Sequence, residues 1–356
     1  MTKYKLGEII ELNPRESIKK GNITRKIAMD DLGEFKRDIE SYSYSEYKGG
    51  TKFRNYDTLM ARITPCLENG KTSFVNILEE NEVAFGSTEY FVFRAKQDII
   101  NPYYLYYLVT TDKFREVAIK SMSGTSGRQR VQKDQILDFS VDLPSLEDQE
   151  KIMKPLKLID DKISLNTKLN TNLFELANII FQQSFNCNGN IPLSHYFLPK
   201  RGKNLLKKNV EPGAVPVVAG GLKPAAYHNI SNTETPVITI SASGANAGYV
   251  QIWGQKVWSS DSSYIDSSIT DNIYFWYIFL KSRQKQIFDA QTGSAQPHIY
   301  PKHIGNLLIS ELDEEQVQSF NKKVTPIFEK IFQNQKNNSV MEDVKNSLLY
   351  KFFNDY

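Results

Sequence analysis

The sequence predicts an α+β protein built twice. Two mixed α/β domains are each followed by one long helix, and the two helices pair antiparallel in coiled-coil fashion. Three observations predict this. First, positions 156, 159, 163, 166, 170, 173, 177 and 180 step by three and four, a heptad seam that is mostly apolar. Second, a shift of 168 residues lays the first half on the second with no gap from Ile136 (on Ile304) to Phe185 (on Phe353), an internal repeat. Third, the stretches before each long helix read as short strands separated by Gly, Ser, Asn and Pro.

The length of 356 residues exceeds one ordinary core, and 40% apolar with 24% charged residues is a globular composition. The resulting segments are 1–144, 145–186, 187–310 and 311–356. In the first, "YDTLMARIT" (56–64), "KTSFVNI" (71–77) and "EYFVFRA" (89–95) carry β-branched and aromatic residues at strand spacing. "NPYYLYYLVTTDKFREV" (101–117) reads as a helix that Asn101 caps and Pro102 opens. Its aromatic row, Tyr103, Tyr104, Tyr106 and Tyr107, has core spacing. The glycine-rich loop "SMSGTSGRQRV" (121–131) follows, then "ILDFSVDLP" and the first long helix. The second half repeats the order: strands "PVITISA" and "GYVQIW", an aromatic helix over 271–287 with Tyr274, Phe275, Trp276 and Tyr277, the loop "AQTGSAQPHI" (290–299), and the last helix.

Each long helix spans about 40 residues, on the order of 60 Å. Pro155 and Pro326 should each kink its helix or divide off a short first segment. To bury its seam the second helix must return along the first, which implies a pseudo-two-fold relation between the halves. Asn166 and Asn170 fall on the seam, and the repeat lays them on Asn334 and Asn338. Two readings stand. The asparagines hydrogen-bond across the seam and fix register at a cost in stability, or they are exposed where the helices splay or face a partner.

Several chemistries are excluded. Cys66 and Cys187 have no metal or disulfide spacing, and the four histidines offer no H-x-x-x-H pair, so no metal site is expected. "NPYY" lacks the second proline of an adenine methyltransferase loop, and "SGANAG" (243–248) lacks the Lys-Ser/Thr of a P-loop. The N-terminus has no apolar signal core and "IYFWYIFL" (273–280) is too short to span a bilayer, so a cytoplasmic protein without membrane association is expected. All eleven arginines lie in 1–144 and 187–310, none in the long helices. Arginine suits bidentate contact with guanine and phosphate. Two similar modules on one rod suit a duplex read at two sites, with unlike half-sites because the modules differ.

Further motifs carry a resemblance. "LPSLEDQEKIMKPLKLIDDKISLN" (143–166), "FGSTEYFVFRA" (85–95), the loops "GTSGRQRV" and "TGSAQPHI", and "LSHYFLPKRGK" (193–203) are similar to the specificity subunit of Type I restriction–modification systems. "VWSSDSSYI" (257–265) stands where the second half would repeat the G-S-T-E-Y string. The resemblance covers essentially the whole chain. It implies two target-recognition domains, 1–144 and 187–310, each reading half of a bipartite site in double-stranded DNA. It implies spacer helices that set the gap and dock two modification subunits, which methylate adenine N6. Restriction subunits complete the nuclease. S-adenosylmethionine, ATP and Mg2+ would belong to those partners, and this chain would bind no cofactor and hold no catalytic residue. A self-sufficient methyltransferase or nuclease, and a two-module scaffold or DNA-binding subunit of another such complex, are the competing readings.

The candidate DNA contacts follow. In the first loop Arg128 and Arg130 suit phosphate or guanine and Gln129 suits adenine; Gln296 and His298 take their places in the second. The alternative is that the glycines only shape a turn. Lys200, Arg201, Lys203, Lys207 and Lys208 form a cluster that either tracks phosphates or is a solvated loop. Arg25, Arg54, Arg62 and Lys71 are the further first-half candidates.

Overall fold

The computed structural model describes residues 2–293 and 296–354. The chain forms two compact units, Met1–Leu165 with Asn338–Tyr356, and Asn166–Asn337. The boundary falls within both long helices, Leu146–Ser184 and Glu314–Asn354. Both run unbroken through Pro155 and Pro326, so neither proline divides off a first segment. A proline removes one backbone donor, and the packing of a long helix absorbs that loss.

In the first unit one antiparallel sheet orders Ile10–Leu12, Tyr90–Ala95, Thr58–Ala61 and Thr72–Phe74. A second orders Ser43–Glu46, Ile23–Ile27, Ala84–Gly86 and Thr51–Phe53, with its middle pair parallel. The strand Tyr90–Ala95 shows why its sequence is almost uniformly apolar. Phe91 and Phe93 pack into the cluster that holds Tyr104, Tyr106 and Tyr107, while Tyr90 and Val92 pack with Ile27, Phe53 and Leu59. Both faces are buried, so no polar alternation is possible. The aromatic row of the helix Pro102–Thr110 is core packing, as its spacing predicts. Asn101 caps this helix, its Oδ1 accepting from the backbone N–H of Tyr103 at 2.9 Å. Buried Gln149 ties the start of the first long helix to the same turn: its Oε1 accepts from Asn101 N–H at 2.8 Å and its Nε2 donates to the Ile99 carbonyl at 3.0 Å.

The second unit repeats the plan. Its antiparallel sheet orders Lys200–Arg201, Ser262–Ile265, Val237–Ser241 and Val250–Trp253. A three-stranded sheet orders Ala226–His228, Val215–Val218 and Trp258–Ser259, again with one parallel pair. The aromatic helix Ile273–Ser282 is capped from the second long helix, where Asn321 Oδ1 accepts from Tyr274 N–H at 3.0 Å.

Within each unit the two long helices run antiparallel. In the first, Lys345 Nζ meets Asp160 at 2.8 Å and Asn338 Nδ2 donates to the Ile163 carbonyl at 3.5 Å. In the second, Phe181 packs on Phe320, and Asn334 Nδ2 donates to Asn170 Oδ1 at 2.8 Å. Asn170 Nδ2 donates in turn to the Ile331 carbonyl at 3.4 Å. Asn166 and Asn334 are only 3% and 2% exposed.

Candidate nucleic-acid interface

The loop of the first unit closes as a small ladder. Ser123 and Arg130 exchange both backbone hydrogen bonds, at 3.0 and 2.9 Å. Thr64 N–H donates to the Gln129 carbonyl at 3.0 Å, and Val131 N–H donates to the Arg62 carbonyl at 2.9 Å. Gly127 has φ +75°, a left-handed turn that suits glycine. The loop therefore hangs from the segment Arg62–Thr64, just past the strand Thr58–Ala61, with its tip in solvent.

Glu89, the acid of the G-S-T-E-Y string, organises the side chains beneath. Its carboxylate accepts from Arg130 Nη2 at 2.7 Å and from Arg62 Nε at 3.2 Å. Those two guanidiniums, Arg130 first, hold its pKa below the ordinary glutamate value against the opposing effect of burial. Arg62 also lies 5.6 Å from the Phe91 ring centroid. Arg128 stands apart: its side chain is exposed and has no ion pair among the described residues. Gln129 is half-buried. The structure thus separates two arginines that the sequence groups together. Arg130 is tied down and Arg128 points to solvent.

The second loop repeats this frame with other side chains. Thr292 and His298 exchange backbone hydrogen bonds at 3.0 and 2.8 Å. Gly244 N–H donates to the Pro297 carbonyl at 3.1 Å, and Ile299 N–H to the Ala242 carbonyl at 2.9 Å. His298 accordingly bridges Ser243 as Arg130 bridges Ile63. Its ring stacks on Tyr300, with centroids 6.0 Å apart. Gln296 is exposed, and its neighbours Ser294 and Ala295 lie outside the described residues.

The same frame identifies the partner of Glu89. Arg62 N–H donates to the Glu89 carbonyl and Ala242 N–H donates to the Asp261 carbonyl, each at 3.0 Å. Asp261, inside "VWSSDSSYI", is therefore the second unit's equivalent acid. It binds Arg201 Nη2 at 2.8 Å and accepts from the Ser243 hydroxyl. Neither acid is among the sequence-derived candidates. The signal for Glu89 was its place in a recognised string; for Asp261 it was only the stretch occupying that place.

The remaining candidates divide by partner. Arg25 is 7% exposed, and its guanidinium meets Glu79 at 2.9 Å, Glu82 at 3.6 Å and the Tyr44 hydroxyl at 3.3 Å. Arg54 pairs with Glu16 at 2.6 Å. Lys71 Nζ donates to the Met29 carbonyl at 2.9 Å and lies 3.3 Å from Asp30. In the second unit Lys200 Nζ donates to the Ser268 hydroxyl at 2.8 Å. Lys203, Lys207 and Lys208 are exposed and have no ion pair among the described residues. The turn Lys207–Asn209 thus presents two exposed cations with no ion pair among the described residues.

Among the described residues no group of three or more His, Cys, Asp or Glu can hold a metal ion, and no helix is long and apolar enough to cross a membrane.

Comparison with known proteins places these features. The family described as the Type I restriction modification DNA specificity domain matches residues 1–174. The Type I restriction enzyme EcoAI specificity subunit of Escherichia coli is 36% identical over 106 residues, 30% of this chain and 18% of that protein. The HindI specificity subunit of Haemophilus influenzae is 33% identical over 133 residues, 36% of this chain and 28% of that protein. The matched segments therefore span less than a third of these relatives. The crystal structure of the Type I restriction–modification system S subunit from M. genitalium superposes with TM-score 0.60 at 17% identity, covering 99% of this chain and 96% of that one. That likeness is one of fold, and it takes in both units.

Proposed function

This chain belongs to the specificity subunits of Type I restriction–modification systems, and we propose that each of its units reads one half of a bipartite site in double-stranded DNA. The observation that carries this reading is the pair of loops. One hydrogen-bond frame presents Arg128 and Gln129 in the first unit and Gln296 and His298 in the second. A shared frame with different side chains fits two unlike half-sites. In the first unit Arg128 is the leading contact, with Arg130 holding the loop in shape through Glu89. Arg62, Arg54, Lys71 and Arg25 act mainly within the fold, since each is engaged by an acid. In the second unit Lys203, Lys207 and Lys208 track phosphates, with Lys200 and Arg201 beside them.

The helix pair sets the gap between half-sites, and the seam asparagines hold its register. The first long helix also carries exposed leucines, Leu158 and Leu165 in the first unit and Leu169 and Leu176 in the second. Apolar side chains left in water on a helix suit docking by another protein. In this reading they receive the modification subunits, which supply adenine-N6 methyl transfer from S-adenosylmethionine. Restriction subunits supply ATP- and Mg2+-dependent nuclease action in the cytoplasm. The chain itself is non-catalytic and binds no cofactor.

Purified alone, the chain should transfer no methyl group from S-adenosylmethionine to DNA, and adding its modification subunit should start transfer at one sequence. Transfer by the chain alone would refute the reading. Transfer by the pair that ignores sequence would refute it too.

A further inference from the structure

One cleft in the first unit is lined by none of the residues assigned above to DNA reading. It has a volume of about 350 Å3 and is walled by the rings of Phe35, Tyr106, Tyr107 and Tyr350. That size lies within the range of small-molecule sites, roughly 300–1,000 Å3.

Two of its polar groups, Arg115 and Thr72, are incompletely partnered. Arg115 is 9% exposed, and its Nη2 donates a single hydrogen bond, to the Glu68 carbonyl at 3.3 Å. No carboxylate forms an ion pair with it among the described residues. Asp112, which also lines the cleft, acts on it only at longer range. Burial draws the Arg115 pKa down, as expected of a cation without a counter-charge. Thr72 is buried, and its Oγ1 has no hydrogen-bond partner. The other cation of the lining, Lys345, is committed to Asp160 at 2.8 Å. At the rim Phe35 holds φ +57°, a conformation that bulky residues rarely adopt, yet the residue is 62% exposed. Its centroid lies 4.8 Å from the Arg115 guanidinium. Strain of this kind gathers at ligand sites.

We propose that this cleft binds a small aromatic carboxylate, the carboxylate held by Arg115 and Thr72 and the ring lodged among the tyrosines. One uncompensated positive charge and one hydroxyl donor match a monoanion. A dianionic phosphate would place a second negative charge near Asp112 with no further uncommitted cation in the lining to balance it. Four aromatic rings suit a planar apolar body. Tyr107 and Lys345 belong both to the cleft wall and to the contacts of Asp160, so occupancy stiffens the helix pair of this unit.

The test is calorimetric titration of the full chain with benzoate, and separately with inorganic phosphate, together with thermal melts. Benzoate should bind and raise the melting temperature, and phosphate should do neither. Arg115→Met should abolish benzoate binding. Because Arg115 is buried and its loss endangers the fold, Thr72→Val, which keeps the shape, is the second arm. It should weaken benzoate about tenfold, the effect of one lost hydrogen bond of ordinary strength. Absence of benzoate binding to the wild-type chain would overturn the proposal. So would binding that Thr72→Val leaves unchanged, or phosphate binding as tightly as benzoate.

Discussion

The loop around Arg130 in the first unit and the loop around His298 in the second share a backbone and differ in what anchors it. Both hang by the same hydrogen bonds from the segment just past a strand, and both lie over an acid whose carbonyl accepts from that segment. In the first unit the acid, Glu89, grips the loop's own Arg130. In the second the acid, Asp261, grips Arg201 from the neighbouring strand of its sheet, 60 residues away in sequence, while His298 stacks on Tyr300. The helix pairs differ in the same way. In the first unit Asp160 accepts from the Tyr107 hydroxyl and from Lys345, each at 2.8 Å, and Arg37 meets Asp161 at 2.8 Å. In the second the corresponding core is a ring cluster of Phe181, Phe185, Phe275 and Phe320. Backbone geometry is the repeated element, and the ions and rings that stabilise it are interchangeable. That is what a reading module needs, since side chains can vary without moving the frame.

The largest expected effect separates the two helix pairs. Asp160→Ala leaves Lys345 buried without a partner and should destabilise the first unit by about 3–5 kcal/mol. Denaturant unfolding read by amide exchange should place that loss in the first unit only; a loss below about 1 kcal/mol would remove the ionic half of the comparison. Next comes the lysine triple, Lys203, Lys207 and Lys208 to Ala. If all three meet phosphate, the salt slope of DNA binding by the assembled complex should flatten by roughly 2.7, at about 0.9 per contact. Fluorescence anisotropy across a salt series measures it, and an unchanged slope would make the cluster a solvated loop.

Glu89→Gln should cost about 1 kcal/mol at neutral pH, because the pair is partly exposed. The Glu89 pKa is depressed in the folded state, so its contribution is fully present above the unfolded glutamate value. It is lost as pH falls through the lower folded value. Melts of wild type and variant should differ at pH 7 and converge under strongly acidic conditions; a gap that widens on acidification would contradict the assignment. The smallest effect sharpens the loop itself. Arg128→Ala should leave stability within about 0.5 kcal/mol and flatten the salt slope by roughly one. Arg130→Ala should instead lower stability. If the two variants behaved alike, the division between reader and anchor would fail.

Much of the plan was legible in local pattern. The repeat register aligned Arg130 with His298, and the structure gives both the same two bridges. The seam spacing marked Leu156 and Ala177, both fully buried. Asn101 and Pro102 marked a helix start because capping is decided within four residues. What stayed hidden depends on distant partners. Arg25 sits in the strand Ile23–Ile27, and nothing nearby in sequence reveals its partners Glu79, 54 residues on, and Glu82. Arg128 and Arg130 look equivalent two residues apart, and only the position of Glu89 distinguishes them. Pro155 reads as a break because sequence shows the lost donor but not the packing that carries the helix through.

The central claim is that one frame carries two different readers. Methylome sequencing of a host that expresses this chain with its modification subunit tests it most directly. The account predicts methylated adenines within one bipartite sequence, made of two unlike half-sites separated by a fixed number of unread base pairs. A symmetric site with identical halves, or methylation at a single undivided sequence, would contradict it.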